Sequence, residues 1–432
     1  MRNDRGVTGG SFPNLQHLLA FREVGVLGSV SAAARAIHRS QPAVTQAIAA
    51  LERRFLVKLF TRTSAGMTLT SAGRLCHLRV ERALTELAQG IGQALRGRES
   101  AADSMAALGT MSGTQLASLA AVVAAGGFGP AARITGLSRP SLHRSSRALE
   151  HKLGVALFEQ TSFGVAPTRD AERLARRVTL AGNELAQAQA EIESLTGHPT
   201  GRTVIGAMPL ARTALLPDVI LEFSAQFPRH TLSILDGPYE NMLHALREGT
   251  ADLLVGALRE PDTLDDVVQE HLFDDPLAIV MRPGHPLQAR PATTPSHLSR
   301  FPWIAPRPGS PLRMQFDNLF RSEGMDLPLG VVECNSFSAA RAMLQASDRL
   351  MLLSAHQISR DLAAGALALL PHPGGNVIRR IGLTLRRGWQ PTPTQLEFLR
   401  LLRAAAARIA LTPVLSVPLG RGKPSARPRS AG

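Results

Sequence analysis

Shifted by 98 positions, the first part of this chain lies over a second part without a gap. Leu18 falls on Leu116, Ala33-Ala34-Arg35 on Ala131-Ala132-Arg133, Ser40 on Ser138, Pro42 on Pro140 and Leu51-Glu52 on Leu149-Glu150. The register continues through Leu59-Phe60 on Leu157-Phe158, Gly66 on Gly164 and Thr70 on Thr168, with about eighteen of some sixty pairs identical. Whatever one segment folds into, the other has to fold into as well.

What they fold into is read from Ser40 onward. Ser40 is a good N-cap, and Pro42 is tolerated in a first helical turn, where its missing N–H would find no partner anyway. Val44, Ile48 and Leu51 then make one apolar stripe, while Gln41, Thr45 and Gln46 come round on the other side. Ser31 to Ile37 reads as a shorter amphipathic helix, separated from the next only by His38 and Arg39, which is helix-turn-helix spacing. A plain helical hairpin would show the same pair. The surroundings favour the first reading: Leu15, Leu18, Leu19 and Phe21 give a preceding helix, and Leu59 to Thr63 with Ala65 to Thr70 give two short strands around a turn.

The order S-Q-P-A-V-T-Q, then L-E, then L-F-T-R-T, then L-T-S-A-G resembles the DNA-binding domain of LysR-type transcriptional regulators over about sixty residues. Leu56 departs from it, standing where that family has Gly between the recognition helix and the wing. Helical geometry turns Gln41, Thr45 and Gln46 toward a major groove. The resemblance places DNA contacts at Gln41, Pro42, Thr45, Gln46 and Arg62.

The two copies are not equivalent. Gln41 becomes Arg139, Thr45 becomes His143 and Gln46 becomes Arg144, while the wing's Arg62 becomes Gln160. Arg139, His143 and Arg144 are the second copy's candidate DNA contacts; the alternative is that this copy is a degenerate spacer that supports dimers. Gly126-Gly127-Phe128-Gly129-Pro130 has the look of a nucleotide loop, but no strand precedes it. Each copy runs into a longer helix, one carrying Val80, Leu84, Leu87, Ile91 and Ala94, the other Leu174, Val178, Ala181, Leu185, Ala188, Ile192 and Leu195. A seam like the second wants a partner helix, and we expect a homodimer or homotetramer through Leu174 to Leu195; the alternative is packing against its own domain. Arg96 to Ser104 reads as a polar linker.

From Gly201 strands and helices alternate: Thr203 to Ala207, a helix to Phe227, Thr231 to Leu235, Tyr239 to Arg247 and Asp252 to Ala257. Further strands are expected at Leu277 to Met281, Trp303 to Ala305, Val331 to Cys334, Leu350 to Leu353 and Ile381 to Arg386, with helices at Leu312 to Ser322 and Ser336 to Gln345. V-I-G-A-M-P, L-L-P-D-V-I-L-E-F and L-R-E-G-T-A-D-L-L-V-G resemble the effector-sensing domain of the same regulators, which has the two-lobed fold of periplasmic binding proteins. By that fold analogy an effector lies between the lobes, at Met208, Pro209, Leu210, Gly256, Arg307, Asn335, Ser336 and Phe337. Arg307 suits an anion; sugar and aromatic-acid sensors both occur in the nearest-looking subfamily.

The charge fits this division. Met1 to Gly197 carries twenty-three Lys and Arg against fourteen Asp and Glu, while His198 to Pro418 is nearly neutral. A basic N-terminal half on a neutral body is what an electrostatic footprint for DNA would produce, and a generically soluble basic surface would look the same. No apolar run approaches the roughly 18 residues of a membrane span, the start lacks a signal-peptide core, and the expected compartment is the cytoplasm, with no membrane partner. Cys76 and Cys334 stand too far apart in sequence to suggest a disulfide framework or zinc module. No GxSxG, HExxH or P-loop is present, so we expect no catalytic residues, metal or cofactor, and Asp252 reads as structural.

The expected architecture is therefore multi-domain: two tandem, α-rich winged helix-turn-helix domains with linker helices at 12–97 and 110–197, a two-lobed α/β effector domain at 201–411, and a disordered basic tail at 412–432. The expected partners are double-stranded DNA and a small-molecule effector, with RNA polymerase as the further partner of such a regulator. Ligand-independent DNA binding is the alternative; a solute-binding protein is opposed by the missing signal peptide and the two winged helices.

Overall fold

The computed structural model describes residues 12–64, 66–95, 100–162, 164–259, 265–289, 293–375 and 377–411. The expected disordered tail and the start of the expected linker, Arg96 to Glu99, lie outside them.

Each N-terminal helix begins at the oxygen-bearing side chain that local chemistry requires. Asn14 caps α1 (Leu15–Leu27), Ser29 caps α2 (Val30–Ala36) and Ser40 caps α3 (Gln41–Phe55). Val44, Ala47, Ile48, Leu51 and Phe55 turn inward on α3, against α1 and the wing. Strands β1 (Phe60–Thr63) and β2 (Gly66–Leu69) pair antiparallel, and Thr70 caps α4 (Ser71–Ala94). The expected polar linker is a helix over its second part. Ser100 and Asp103 form a reciprocal capping box that starts α5 (Ala101–Leu108), and Ser104 is buried against α4.

The same succession of elements follows: α6 (Gly113–Ala124), α7 (Phe128–Thr135), α8 (Arg139–Leu153), β3 (Phe158–Thr161), β4 (Gly164–Pro167) and α9 (Arg169–Leu195). Residues identical between the segments make identical bonds. Glu52 accepts from Leu59 N at 3.0 Å, and Glu150 from Leu157 N at 2.9 Å. Thr70 and Thr168 each donate to a backbone carbonyl before the wing, Lys58 O or Ala156 O, and accept from the third residue of the helix they cap. Leu56, the departure noted above, ends α3 in the left-handed region at φ 55°, where Gly154 ends α8 at φ 64°.

The apolar seam of α9 has a partner, and the partner is α4 of the same chain. Val80, Leu84, Leu87 and Ile91 are buried in one cluster with Leu174, Val178, Ala181, Leu185, Ala188 and Ile192. The helices run antiparallel: Gly90 sits against Leu174 and Arg177, whereas Arg79 lies against Glu184, Gln187 and Glu191. The face of α9 expected to join two chains is thus covered within the chain from Leu174 to Ile192, while Leu195 at its end is exposed.

From Gly201 the chain forms β5 (Gly201–Ala207), a π turn at Ala211–Leu215, α10 (Leu216–Gln226), β6 (His230–Leu235), α11 (Tyr239–Arg247), β7 (Leu253–Ala257) and β8 (Val267–Met281). It continues through α12 (Pro295–Leu298), β9 (Trp303–Ala305), α13 (Pro311–Arg321), β10 (Val332–Glu333), α14 (Phe337–Gln345) and β11 (Leu350–Ser354). Last come α15 (Ser359–Ala363), β12 (Ala368–Pro371), β13 (Ile378–Arg386) and α16 (Pro393–Ala410). The strands form one mixed sheet, in the order β10-β9-β11-β8-β13-β7-β5-β6 with β12 beside β8.

Strand β8 belongs to both halves of that sheet. Its first part, Val267 to Pro276, pairs with β13, and Leu277 to Met281 pairs with β11 and β12. Only the second part was expected from the sequence, because Gln269, Glu270 and Asp274 interrupt the apolar signal of the first. Separate cores sit against the two halves, one around Phe223, Phe398 and Leu383 and one around Trp303, Phe316 and Phe320.

Leu56 is 85% exposed, so its side chain gives little packing in return for its backbone strain. A left-handed non-glycine residue costs about 1–2 kcal/mol, less the extra freedom glycine gives the unfolded chain. Leu56→Gly should therefore raise stability by about 0.5–1 kcal/mol, read as a higher Tm in calorimetry; an unchanged or lower Tm would count against the strain.

Candidate nucleic-acid interface and effector site

The polar side of α3 is open. Gln41, Pro42, Thr45 and Gln46 are all exposed, as is Arg62 on the wing. The Thr45 hydroxyl donates to Gln41 O at 3.0 Å, which fixes its methyl and lone pairs relative to the helix surface. The wing is held on the helical body, since Met67 N–H donates to Gly28 O at 2.8 Å. Its close approach leaves no room for a side chain at Gly66, whose Cβ would collide with that same carbonyl. Five sequence-selected residues thus share one rigid, outward-facing unit.

The second unit is braced differently. Arg139, His143 and Arg144 are exposed on α8, but the His143 ring stacks on Phe128 with centroids 3.8 Å apart and planes 11° apart. Arg144 reaches back to Ser141 Oγ at 3.2 Å. Phe158 packs on Phe128, and among the described residues no bond joins Val165 to Gly126 as Met67 joins Gly28.

The expected effector residues fall into two groups, one on each half of the sheet. Met208 N–H donates to Val255 O at 3.0 Å, and Gly256 lies so close to the Met208 side chain that a Cβ there would clash. Pro209 and the buried Leu210 follow in the same loop. On the other half, Asn335 Oδ1 accepts Arg307 N–H at 3.0 Å, and Ser336 caps the helix that begins at Phe337. Loop and helix start are thereby tied together, while the Arg307 guanidinium stays exposed with no partner among the described residues. Asp252, set aside above as structural, is buried with Oδ2 accepting Val204 N–H at 2.7 Å, and burial raises its pKa. Burial likewise pushes the Cys76 thiol up to about 12, so it stays protonated and inert.

Residues 196–407 match the LysR substrate binding domain, and residues 15–74 and 114–172 match the bacterial regulatory helix-turn-helix protein of the lysR family. The HTH-type transcriptional regulator GalR of Pseudomonas putida is 35% identical over 392 residues, 90% of this chain and 97% of that protein. The HTH-type transcriptional regulator PcaQ of Agrobacterium fabrum is 29% identical over 280 residues, 65% of this chain and 90% of that protein. The chain belongs to the LysR family. A full-length OxyR variant from Pseudomonas aeruginosa shares the fold, with a TM-score of 0.51 at 22% identity over 73% of this chain and 98% of that one.

This LysR-family protein is accordingly a DNA-binding transcriptional regulator with an effector-binding domain. Among its described residues no single helix is long and apolar enough to cross a membrane, and no cluster of His, Cys, Asp and Glu is arranged to hold a metal.

Where the regulator's chain crosses between the halves of its sheet, sequence reading gave no warning of a buried polar cluster. Asp275 on β8 is fully buried; it accepts from Ser354 Oγ, from Arg379 Nη2 at 2.6 Å, and contacts His356 Nδ1 at 3.0 Å. The signal is faint because Asp275 and Arg379 are neighbours only across the β8–β13 ladder. His356 also lines an open cavity of about 340 Å³ between α10, α15 and α16, with Leu215, Asp218, Arg360 and Ala405. None of the expected effector residues lines that cavity. Removing one partner of a buried charge pair leaves the other uncompensated, at about 3–5 kcal/mol. Asp275→Ala should cost about that much and lower the Tm of the effector domain sharply; a shift of under about a degree would show the cluster to be dispensable.

Proposed function

We propose that α3 reads the operator through Gln41, Pro42, Thr45 and Gln46 while Arg62 on the wing holds the backbone or minor groove. The observation that carries this is the exposed polar face of α3, docked rigidly to its wing. An amide or hydroxyl placed on a base edge discriminates by about 1–3 kcal/mol, whereas a phosphate contact adds affinity without sequence information.

The segment 114–172 is a second winged helix-turn-helix, and the N-terminal region is a duplication. Its support is the repeated set of bonds from Glu52 and Glu150 and from Thr70 and Thr168, together with the 392-residue match to the Pseudomonas putida regulator. The domains run over 12–97, 110–197 and 201–411. Arg139, His143 and Arg144 are its DNA-facing residues.

The effector is a small anion or sugar held between Met208, Pro209, Leu210 and Gly256 on one lobe and Arg307, Asn335, Ser336 and Phe337 on the other. Arg307 and the amides at the start of α14 supply positive potential for a carboxylate or phosphate. Binding across the lobes would favour one lobe arrangement, which is how a ligand shifts a conformational equilibrium. The compartment is the cytoplasm, where the DNA is.

The test is operator affinity of the full chain by fluorescence anisotropy over a salt series. Thr45→Ala should weaken the operator by roughly tenfold and spare non-specific duplex, while Arg62→Ala should weaken both and reduce the salt slope by about 1. Unchanged affinity in both variants would refute the assignment of α3 and the wing.

A further inference from the structure

The pairing of α4 with α9 is symmetric about a point inside the chain. Arg79 Nη1 lies 2.8 Å from Glu184 Oε2, and Arg177 Nη1 lies 2.6 Å from Glu86 Oε2. The same 98-residue shift that superposes the two winged helices takes Arg79 to Arg177 and Glu86 to Glu184. The two ion pairs are therefore one contact made twice, in opposite directions. Reciprocal contact, in which residue i meets j while the equivalent of j meets the equivalent of i, is the mark of a two-fold interface between identical subunits.

The repeat runs on into these helices where they touch. Val80 matches Val178, Ala83 matches Ala181, and Leu87 matches Leu185, each of them buried. Ala83 and Ala181, both without exposed surface, stand at the centre of the antiparallel pair, where a two-fold axis requires equivalent residues to meet and small side chains let backbones approach.

We infer that one chain is a built-in pair of unlike DNA-reading heads, and that a single chain spans two neighbouring half-sites of different sequence on duplex DNA. The inference rests on the second winged helix proposed above. Antiparallel pairing puts the two heads at opposite ends of the helix pair. With 24 residues in α4 the ends are about 35 Å apart at 1.5 Å per residue. Successive major-groove faces on one side of B-DNA are about 34–36 Å apart. The two reading faces differ in chemistry: Gln41, Thr45 and Gln46 offer amides and a hydroxyl, whereas Arg139 and Arg144 offer guanidinium groups that suit guanine. The preferred duplex accordingly has two unlike halves, the one under α8 richer in guanine.

Duplexes recovered from a random-sequence library by the full chain provide the probe. The expected motif has two unlike halves about one helical turn apart, and hydroxyl-radical footprinting shows two protected patches. Arg139→Ala with Arg144→Ala should abolish one patch and weaken binding roughly tenfold or more. Thr45→Ala with Arg62→Ala should do the same to the other. Five base pairs inserted between the halves should weaken binding as much as loss of a head, since they turn one half to the far side of the duplex. A palindromic motif, or a footprint and affinity indifferent to the Arg139 and Arg144 changes while the Thr45 and Arg62 changes still act, would overturn the inference and leave the first head as the reader. Indifference to both pairs would instead overturn the reading of α3 itself.

Discussion

Arg79 is the side chain through which three parts of this protein are held together. Its guanidinium, on α4 and almost without exposed surface, takes Glu184, Gln187 and Glu191 from α9 and the carbonyl of Gln390 from the loop after β13. Burial by itself pulls its pKa down, but the hydrogen bonds and charges of Glu191 and Glu184 outweigh that and hold it above the usual arginine value. Desolvating such a group is expensive, and the expense is met only when every donor is used and the charge is matched. Shape alone would let two apolar helices slide; a guanidinium held by two carboxylates, an amide and a backbone carbonyl fixes their register and seats the effector domain on them at the same time.

That seating has a direction. Arg79 and Arg82 grip the carbonyls of Gln390 and Gly388, while Arg176 and Asn183 of α9 grip those of Arg247 and Gly249. All four carbonyls lie beside the half of the sheet that holds β5, β7 and the first part of β8. The half holding β9 to β11 has no such anchorage among the described residues. A rearrangement between the halves thus leaves the first half fixed to the helix pair and displaces the second, with β8, β13 and the Asp275 cluster as the joint.

Much of this was legible in the sequence because the relevant rules are local. Ser40 announces a helix start by chemistry that acts within three residues; Ser29, Thr70 and Thr168 cap their helices in the same way, but only the structure shows it. Leu56 could be singled out only through the family resemblance, and its left-handed backbone is the reason the position favours glycine. The seam of α9 was legible as a seam but not its partner, because an apolar stripe states that something must cover it and not which chain the cover belongs to. The first part of β8 was lost for a related reason. Its polar residues are tolerated since β13 supplies the backbone partners, information held more than a hundred positions away. The effector loops could be named only by analogy, and Asp275 with Arg379 and His356 is a contact of tertiary structure alone.

The departures from symmetry along α4 and α9 follow burial. Arg177 and Glu86 are each about a quarter exposed, and one carboxylate beside one guanidinium is sufficient there because water serves the remaining donors. At the equivalent end Arg79 lies under the loop at Gln390, and its side chain is 3% exposed. Water is excluded, so more protein acceptors are needed. Glu191 supplies a second carboxylate at a position that the 98-residue shift matches with Gln93. A two-fold interface between separate identical chains has no access to that solution, because a residue introduced at one end appears at the other, where its charge would stand unmatched. Joining both halves in one chain removes the restriction. The same freedom allows the residues at 41, 45 and 46 to differ in chemistry from those at 139, 143 and 144 while the helices beneath them keep their common contact.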